Sequence, residues 1–219
     1  MSALHVEPFV SGAFAQNGYV VWHEDATFAV AVDPGADAGV MADFLSANGL
    51  FCEAILLTHA HIDHIEGVAE LVRRTGAPVY LHADDRPLYD AVPQQAAAFG
   101  LAIEQQPPID HVLEHGQRLR FGDVELEVRH VPGHSPGHVL FYSEAGGFAL
   151  VGDVVFAGSI GRTDLPGGSM TTLLRSIRSH VLTLPADTVL YSGHGPSTTV
   201  ERERIGNPFL APSFGGSLA

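Results

Sequence analysis

The 219-residue chain contains no lysine. Its eleven basic residues are all arginine and face twenty-five acidic ones, for a formal net charge of −14. Two divalent cations would still leave about −10, which repels phosphate backbones and anionic bilayers, so no nucleic acid and no membrane is expected as a partner. Cysteine is nearly missing too: Cys52 stands alone, which rules out an intrachain disulfide and gives no sign of an oxidising compartment. No apolar run approaches the ~20 residues of a membrane span. The opening MSALHVEPFVSGAF lacks the basic segment and long apolar core of a secretory signal, so a cytoplasmic protein is expected. Charged residues are scarce at 16% while hydrophobic ones reach 46%, a balance that fits a packed core and excludes a largely disordered chain. The length suits one domain over residues 1–219, and composition specifies no oligomeric state. The Gly-, Pro- and Ser-rich stretch 207–219 is expected to be a loosely ordered tail with only its first residues docked.

Hydrophobic periodicity and turn residues predict strands near 4–10, 19–22, 28–32, 54–57 and 79–82, with helices over 38–47 and 65–74 among them. A further helix is predicted near Asp84 and Asp85, whose charge suits a helix N-terminus, and another over 93–100. After Pro107-Pro108 strands dominate, near 112, 118–121, 124–130, 139–142 and 148–151. A long helix over 171–182, a strand over 188–191 and a last helix from Thr199, with Thr198 and Glu201 as its capping box, follow. Two groups of strands, each followed by helices, predict an α/β fold of two packed sheets with helices outside.

The chemistry is concentrated in Thr58-His59-Ala60-His61-Ile62-Asp63-His64, where three imidazoles and a carboxylate crowd into six residues directly after a strand. Residues two apart in extended chain point the same way, so His59 and His61 can hold one ion, while Asp63 and His64 can face a second. For Asp63 the competing role is a helix N-cap, with Glu66 three residues on. Three more candidates stand at the ends of apolar strands: His134 in a glycine and proline loop, Asp153 where a carboxylate could bridge two ions, and His194 between two glycines. Imidazole and carboxylate suit zinc, iron or manganese alike.

THAHIDH, HVPGHSPGH, VGD and SGHG, in this order and at these intervals, resemble the metallo-β-lactamase superfamily over nearly the whole chain. The resemblance implies a four-layer αββα sandwich with metals in a groove at one edge of the sheets. It implies that His59, His61 and His134 hold the first ion, Asp63, His64 and His194 the second, and that Asp153 bridges them. It also places Asp33 beneath the metals. The stretch from Gly158 to Gly168 and the ending TTVERER resemble the short bacterial glyoxalase II-like proteins, which are similar to hydroxyacylglutathione hydrolases. The long form of that enzyme carries an extra helical domain with basic residues for glutathione, and this chain has neither the room nor any lysine. Of the other histidines, His82, His130 and His138 are candidates to line the groove or support ligands. Arg162 is expected to pair with Asp164, with contact to a substrate carboxylate as its other role.

These readings predict two divalent metal ions, zinc first with iron or manganese compatible, and a small-molecule thioester as substrate, with Asp63 and Asp153 as catalytic residues. Metal binding lowers the pKa of water from about 15.7 to about 7. A thiol with a pKa near ~8.5 leaves as thiolate without a strong acid, so a metal-bridging hydroxide attacking a thioester is the expected mechanism. The competing readings are an iron-dependent persulfide dioxygenase, which shares the HxHxDH and GRTD motifs, a lactone or β-lactam hydrolase, and a non-enzymatic metal-binding module.

Overall fold

A computed structural model describes residues 4–210; residues 1–3 and 211–219, including most of the predicted tail, lie outside the described residues. The first sheet is built in chain order from β1 (Leu4–Ser11), β2 (Gln16–His23), β3 (Phe28–Val32), β4 (Phe51–Leu56), β5 (Val79–His82) and β6 (His111–Leu113). Its first three strands form an antiparallel meander, and from β3 onward the pairing is parallel. The parallel steps require crossovers. These are α1 (Ala38–Ala47), the pair α2 (Ile62–Ile65) and α3 (Val68–Thr75), and a run after β5 comprising a 3₁₀ turn (Ala83–Asp85), α4 (Arg86–Asp90) and α5 (Val92–Ala98).

The second sheet contains β7 (Arg118–Phe121), β8 (Val124–His130), β9 (Val139–Ser143) and β10 (Phe148–Gly152). A small hairpin of β11 (Val155–Phe156) and β12 (Ser159–Ile160) follows, then α6 (Met170–Ser176), β13 (Val189–Ser192), β14 (Thr198–Thr199) and α7 (Val200–Gly206). The sheet's order is β14-β13-β10-β9-β8-β7, with β13 parallel to β10 and the other neighbours antiparallel.

Alternation along single strands divides the core into three apolar layers. In β3, Val30 and Val32 meet the second sheet's Leu126, Val128 and Phe141, while Ala29 and Ala31 face the helices with Met41, Leu45 and Leu71. In β9, Val139 and Phe141 face the first sheet, and Leu140 and Tyr142 pack on Leu173, Ile177 and Val181. Three cores between four layers define the αββα sandwich, because a two-residue period gives each sheet two apolar faces to cover. Among the described residues no helix is long and apolar enough to cross a membrane.

Three local expectations differ from the structure. The helix predicted over 65–74 is two helices, broken where the Gly67 amide donates to the Pro34 carbonyl at 3.0 Å. The close approach needs glycine there, since a Cβ would lie 2.1 Å from the Gly35 oxygen. The long helix over 171–182 is α-helical only to Ser176; Ile177–Val181 is a π turn, closed by the Leu182 amide on the Ile177 carbonyl at 2.9 Å, with Ile177 and Val181 both buried. The capping box at Thr198 and Glu201 does not form: Thr199 caps α7, and the Thr198 hydroxyl donates to Glu203 at 2.6 Å. The helix expected near Asp84 and Asp85 does begin there, with Asp85 at the N-cap position of α4 and its carboxylate turned into the interior. At the other end of the described chain Asn207 and Leu210 are buried, with Asn207 donating to the Ser159 carbonyl.

Candidate metal centre

The segment after β4 is fixed from beneath by Asp33. Its carboxylate accepts from the Thr58 amide at 2.7 Å and the Thr58 hydroxyl at 2.6 Å, and it faces His64 Nδ1 at 2.9 Å. The Thr58 oxygen, having donated to Asp33, accepts from His59 Nδ1 at 3.0 Å. Each of these contacts fixes one ring nitrogen and turns the other inward. The pattern recurs across the molecule: His134 Nδ1 donates to the Arg162 carbonyl at 2.8 Å, and His194 Nδ1 to the Phe14 carbonyl at 3.1 Å. Outer oxygens that orient imidazoles in this way are the usual second layer of a metal site.

The inward atoms converge. His59, His61 and His134 form one group of mutually close ligand atoms, with His61 Nδ1 and His134 Nε2 2.8 Å apart, and Asp63, His64 and His194 form another. Asp153 lies between them: Oδ1 is 3.3 Å from His64 Nε2, and Oδ2 is 3.5 Å from His194 Nε2 and 3.6 Å from His134 Nε2. Asp63 does not act as an N-cap. His61 occupies that position of α2, and the Asp63 carboxylate reaches His194 Nε2 at 3.2 Å. All seven sequence-predicted ligands thus meet at one place, at the ends of β4, β10 and β13 and in the loop after β8.

The electrostatics suit cations. Burial drives His59 far below its ordinary value and His61 down to about 3, and it lowers His134, so these rings are neutral and able to donate a lone pair. Burial would lower His64 as well, but Asp153 and Asp63 overcome it and hold this ring protonated, so a positive charge belongs at that spot. Asp153 stays ionised despite its burial because His64 and the neighbouring rings stabilise the anion. His59 Nε2, His64 Nε2 and Asp153 Oδ1 are buried with no hydrogen-bond partner. Such atoms are costly to leave unmade, and a metal ion is the group that would satisfy all three.

Two further residues support the cluster. Asp85 is fully buried and accepts from the Ala60 amide at 3.0 Å, the Ser135 hydroxyl at 2.7 Å and the Gly137 amide at 2.5 Å. It ties the loop of His59 and His61 to the loop of His134. Sequence reading missed this role. His138 stacks on His59 at 4.6 Å, and its Nε2 accepts from the Asp153 amide at 3.1 Å. His82 and His130 do not join the cluster: they stack on each other at 4.1 Å, with Asp84 beside them.

The cluster opens into a cavity of about 600 Å³. Arg162 lines it, but its guanidinium is held by Asp164 through bonds of 2.7 and 2.8 Å.

The family model of the metallo-beta-lactamase superfamily matches residues 11–194. The chain is 40% identical over 200 residues to probable metallo-hydrolase YqgX of Bacillus subtilis, covering 91% of this chain and 94% of that protein. It is 35% identical over 214 residues to hydroxyacylglutathione hydrolase GloC of Haemophilus influenzae, covering 94% and 98%. Among solved structures, TTHA1623 in a di-iron-bound form is similar with a TM-score of 0.86 at 44% identity, and BLEG-1, a B3 metallo-beta-lactamase, with 0.89 at 41%. Both comparisons cover 94% of this chain and 100% of the other. With so long a match and relatives aligned along nearly their whole length, the chain belongs to the metallo-β-lactamase superfamily, a superfamily of metallo-hydrolases.

Proposed function

We propose that the chain hydrolyses acyl thioesters, using two divalent ions held by His59, His61 and His134 on one side and by Asp63, His64 and His194 on the other, with Asp153 shared between them. The observation that carries this reading is the set of buried inward atoms without partners, on two imidazoles and a carboxylate. Zinc is the first candidate, with iron and manganese compatible with the same donors. Bound there, such ions supply Lewis acidity toward a carbonyl oxygen and make water acidic enough to attack at neutral pH.

The chain's own residues do the rest. Asp63 and Asp153 line the cavity and remain ionised, so their oxygens can accept hydrogen bonds from water and orient it. Thr58 and the Arg162 carbonyl hold His59 and His134 in fixed tautomers, which keeps their lone pairs aimed inward without reorganisation, while Asp33 and the Phe14 carbonyl fix the orientations of His64 and His194. No further acid lines the cavity among the described residues, and a thioester needs none, since its thiol leaves as an anion with a pKa near ~8.5. Arg162 would meet a substrate carboxylate through Nη1, which Asp164 does not hold, or by exchanging Asp164 for it.

The hydroxyacylglutathione hydrolase of Haemophilus favours thioester cleavage. The likeness to BLEG-1 favours a second reading, β-lactam hydrolysis on the same site. Protein stripped with chelator and reloaded with zinc should release thiol from S-lactoylglutathione or simpler acyl thioesters without consuming oxygen. Turnover of a chromogenic cephalosporin alone would favour the second reading. Zinc protein inert toward thioesters, beside iron protein that consumes oxygen with glutathione persulfide, would replace both with a dioxygenase.

A further inference from the structure

The wall of the cavity is formed largely by Phe14, Leu88, Phe99, Phe156, Ile160 and Leu165. Phe14 and Phe99 meet edge to face at 5.2 Å, and both stay exposed, at 36% and 53%. An aromatic pair left open to water beside a buried polar cluster is a surface that gains from being covered by an apolar group. The two largest polar side chains of the wall outside the cluster are already engaged. Gln95 Nε2 donates to the Ala60 and Leu88 carbonyls at 3.0 and 2.7 Å. Arg162, the only guanidinium lining the cavity among the described residues, is held at two nitrogens by Asp164. Outside the metal-ligand cluster the wall carries no other charged side chain among the described residues, in a chain of net charge −14 that contains no lysine.

We propose that this cavity takes an uncharged, apolar substrate arm, so that the site selects neutral thioesters with hydrophobic chains over glutathione thioesters. The proposal deepens the thioester-hydrolase reading and rests on it for the reaction, though not for the recognition. Glutathione is net anionic at neutral pH. Beyond the two ions, which the thioester itself would occupy, its carboxylates would lose water against phenyl and alkyl side chains with no unpaired side-chain cation to receive them, and the field of the whole chain opposes their approach. A hydrophobic chain meets the opposite conditions, and each methylene buried should raise affinity by about threefold to fourfold.

Binding and turnover can be separated with thioethers, which keep the sulfur and are not hydrolysed. Calorimetric titration of metal-loaded protein with S-hexyl-N-acetylcysteamine and with S-hexylglutathione holds the alkyl chain constant and changes only the thiol half. The neutral compound should bind at least about tenfold more tightly, and shortening hexyl to methyl, a loss of five methylenes, should cost about 200- to 1,000-fold if the whole chain is buried. Phe99→Ala should weaken the hexyl compound far more than the methyl one, with metal content unchanged. Asp164→Asn, which releases Arg162, should narrow the gap between the neutral and glutathione compounds. Equal or tighter binding of S-hexylglutathione to the unaltered protein, or affinity indifferent to chain length, would overturn the proposal. Absence of thioester turnover with the binding preference intact would count against the hydrolase reading and support the assignment of the cavity.

Discussion

Asp33 and Asp85 are buried carboxylates with different duties. Asp33 reaches Thr58 and His64, and through the Thr58 hydroxyl it orients His59. Asp85 joins Ala60 to Ser135 and Gly137, and so sets the distance between the loops that carry His61 and His134. Asp85→Asn keeps the size but substitutes an amide where the carboxylate accepts three hydrogen bonds. It should weaken metal binding at the His59, His61 and His134 group by about 10- to 100-fold, the usual cost of losing such support, and leave the Asp63, His64 and His194 group less affected. Competition with a chromogenic chelator resolves two binding steps and checks this; an equal loss at both steps would contradict it. The seven inward residues were legible in the sequence because each follows an apolar strand, and strand ends gather at one edge of a sandwich. Asp85 was not, because its partners are 25 to 52 residues away and two of the three are backbone amides.

At the scale of elements, the longer strands and α1 match sequence expectation: β3 and β9, buried on both faces, are short continuous apolar runs of strand length, and α1 has its apolar residues at helical spacing. What could not be read locally is what tertiary contact imposes. Gly67 interrupts a good helical pattern because the backbone of residues 34–35 lies against it. The π turn after α6 likewise answers to Ile177 and Val181, which pack on the outer face of the second sheet. Gly193 makes the corresponding argument for function. A Cβ there would lie 2.2 Å from Asp153 Oδ1 and 2.6 Å from His64 Cε1, so the turn after β13 must be bare for the two ligand groups to close on each other. Gly193→Ala should therefore lower metal affinity by about tenfold or more while the far-ultraviolet dichroism stays that of the parent. A variant with full metal occupancy would show that the turn shifts freely, against this account.

For the molecule as a whole, the cluster stores a dependence on pH that metal should suppress. Without metal, the buried His61, pushed down to about 3, stays neutral beside His134, His59, His64, Asp63 and Asp153, while in the unfolded chain it takes up a proton below its ordinary 6.5. Stability from a depressed imidazole is present above 6.5 and is lost as pH falls toward 3. For His61 alone this amounts to about 2 kcal/mol between pH 7 and pH 5. His59, His134 and His138 act in the same direction, whereas the raised His64 and His194 act oppositely and offset part of the loss. Urea unfolding of chelated protein should accordingly show a midpoint that falls from pH 7 to pH 5. Protein with metal at ~100 times its dissociation constant should gain about 2.7 kcal/mol per site at neutral pH. A midpoint in chelated protein that does not change with pH would contradict the description of buried neutral rings.

The most direct test of the central claim, that the cluster binds two ions and uses them on thioesters, is a titration of chelated protein with zinc while thiol release from an acyl thioester is followed. The account predicts turnover that rises with added zinc, reaches its plateau at two equivalents and is abolished by Asp153→Ala, whose carboxylate lies between both groups. Turnover that saturates at one equivalent, or that survives Asp153→Ala with metal content intact, would contradict it.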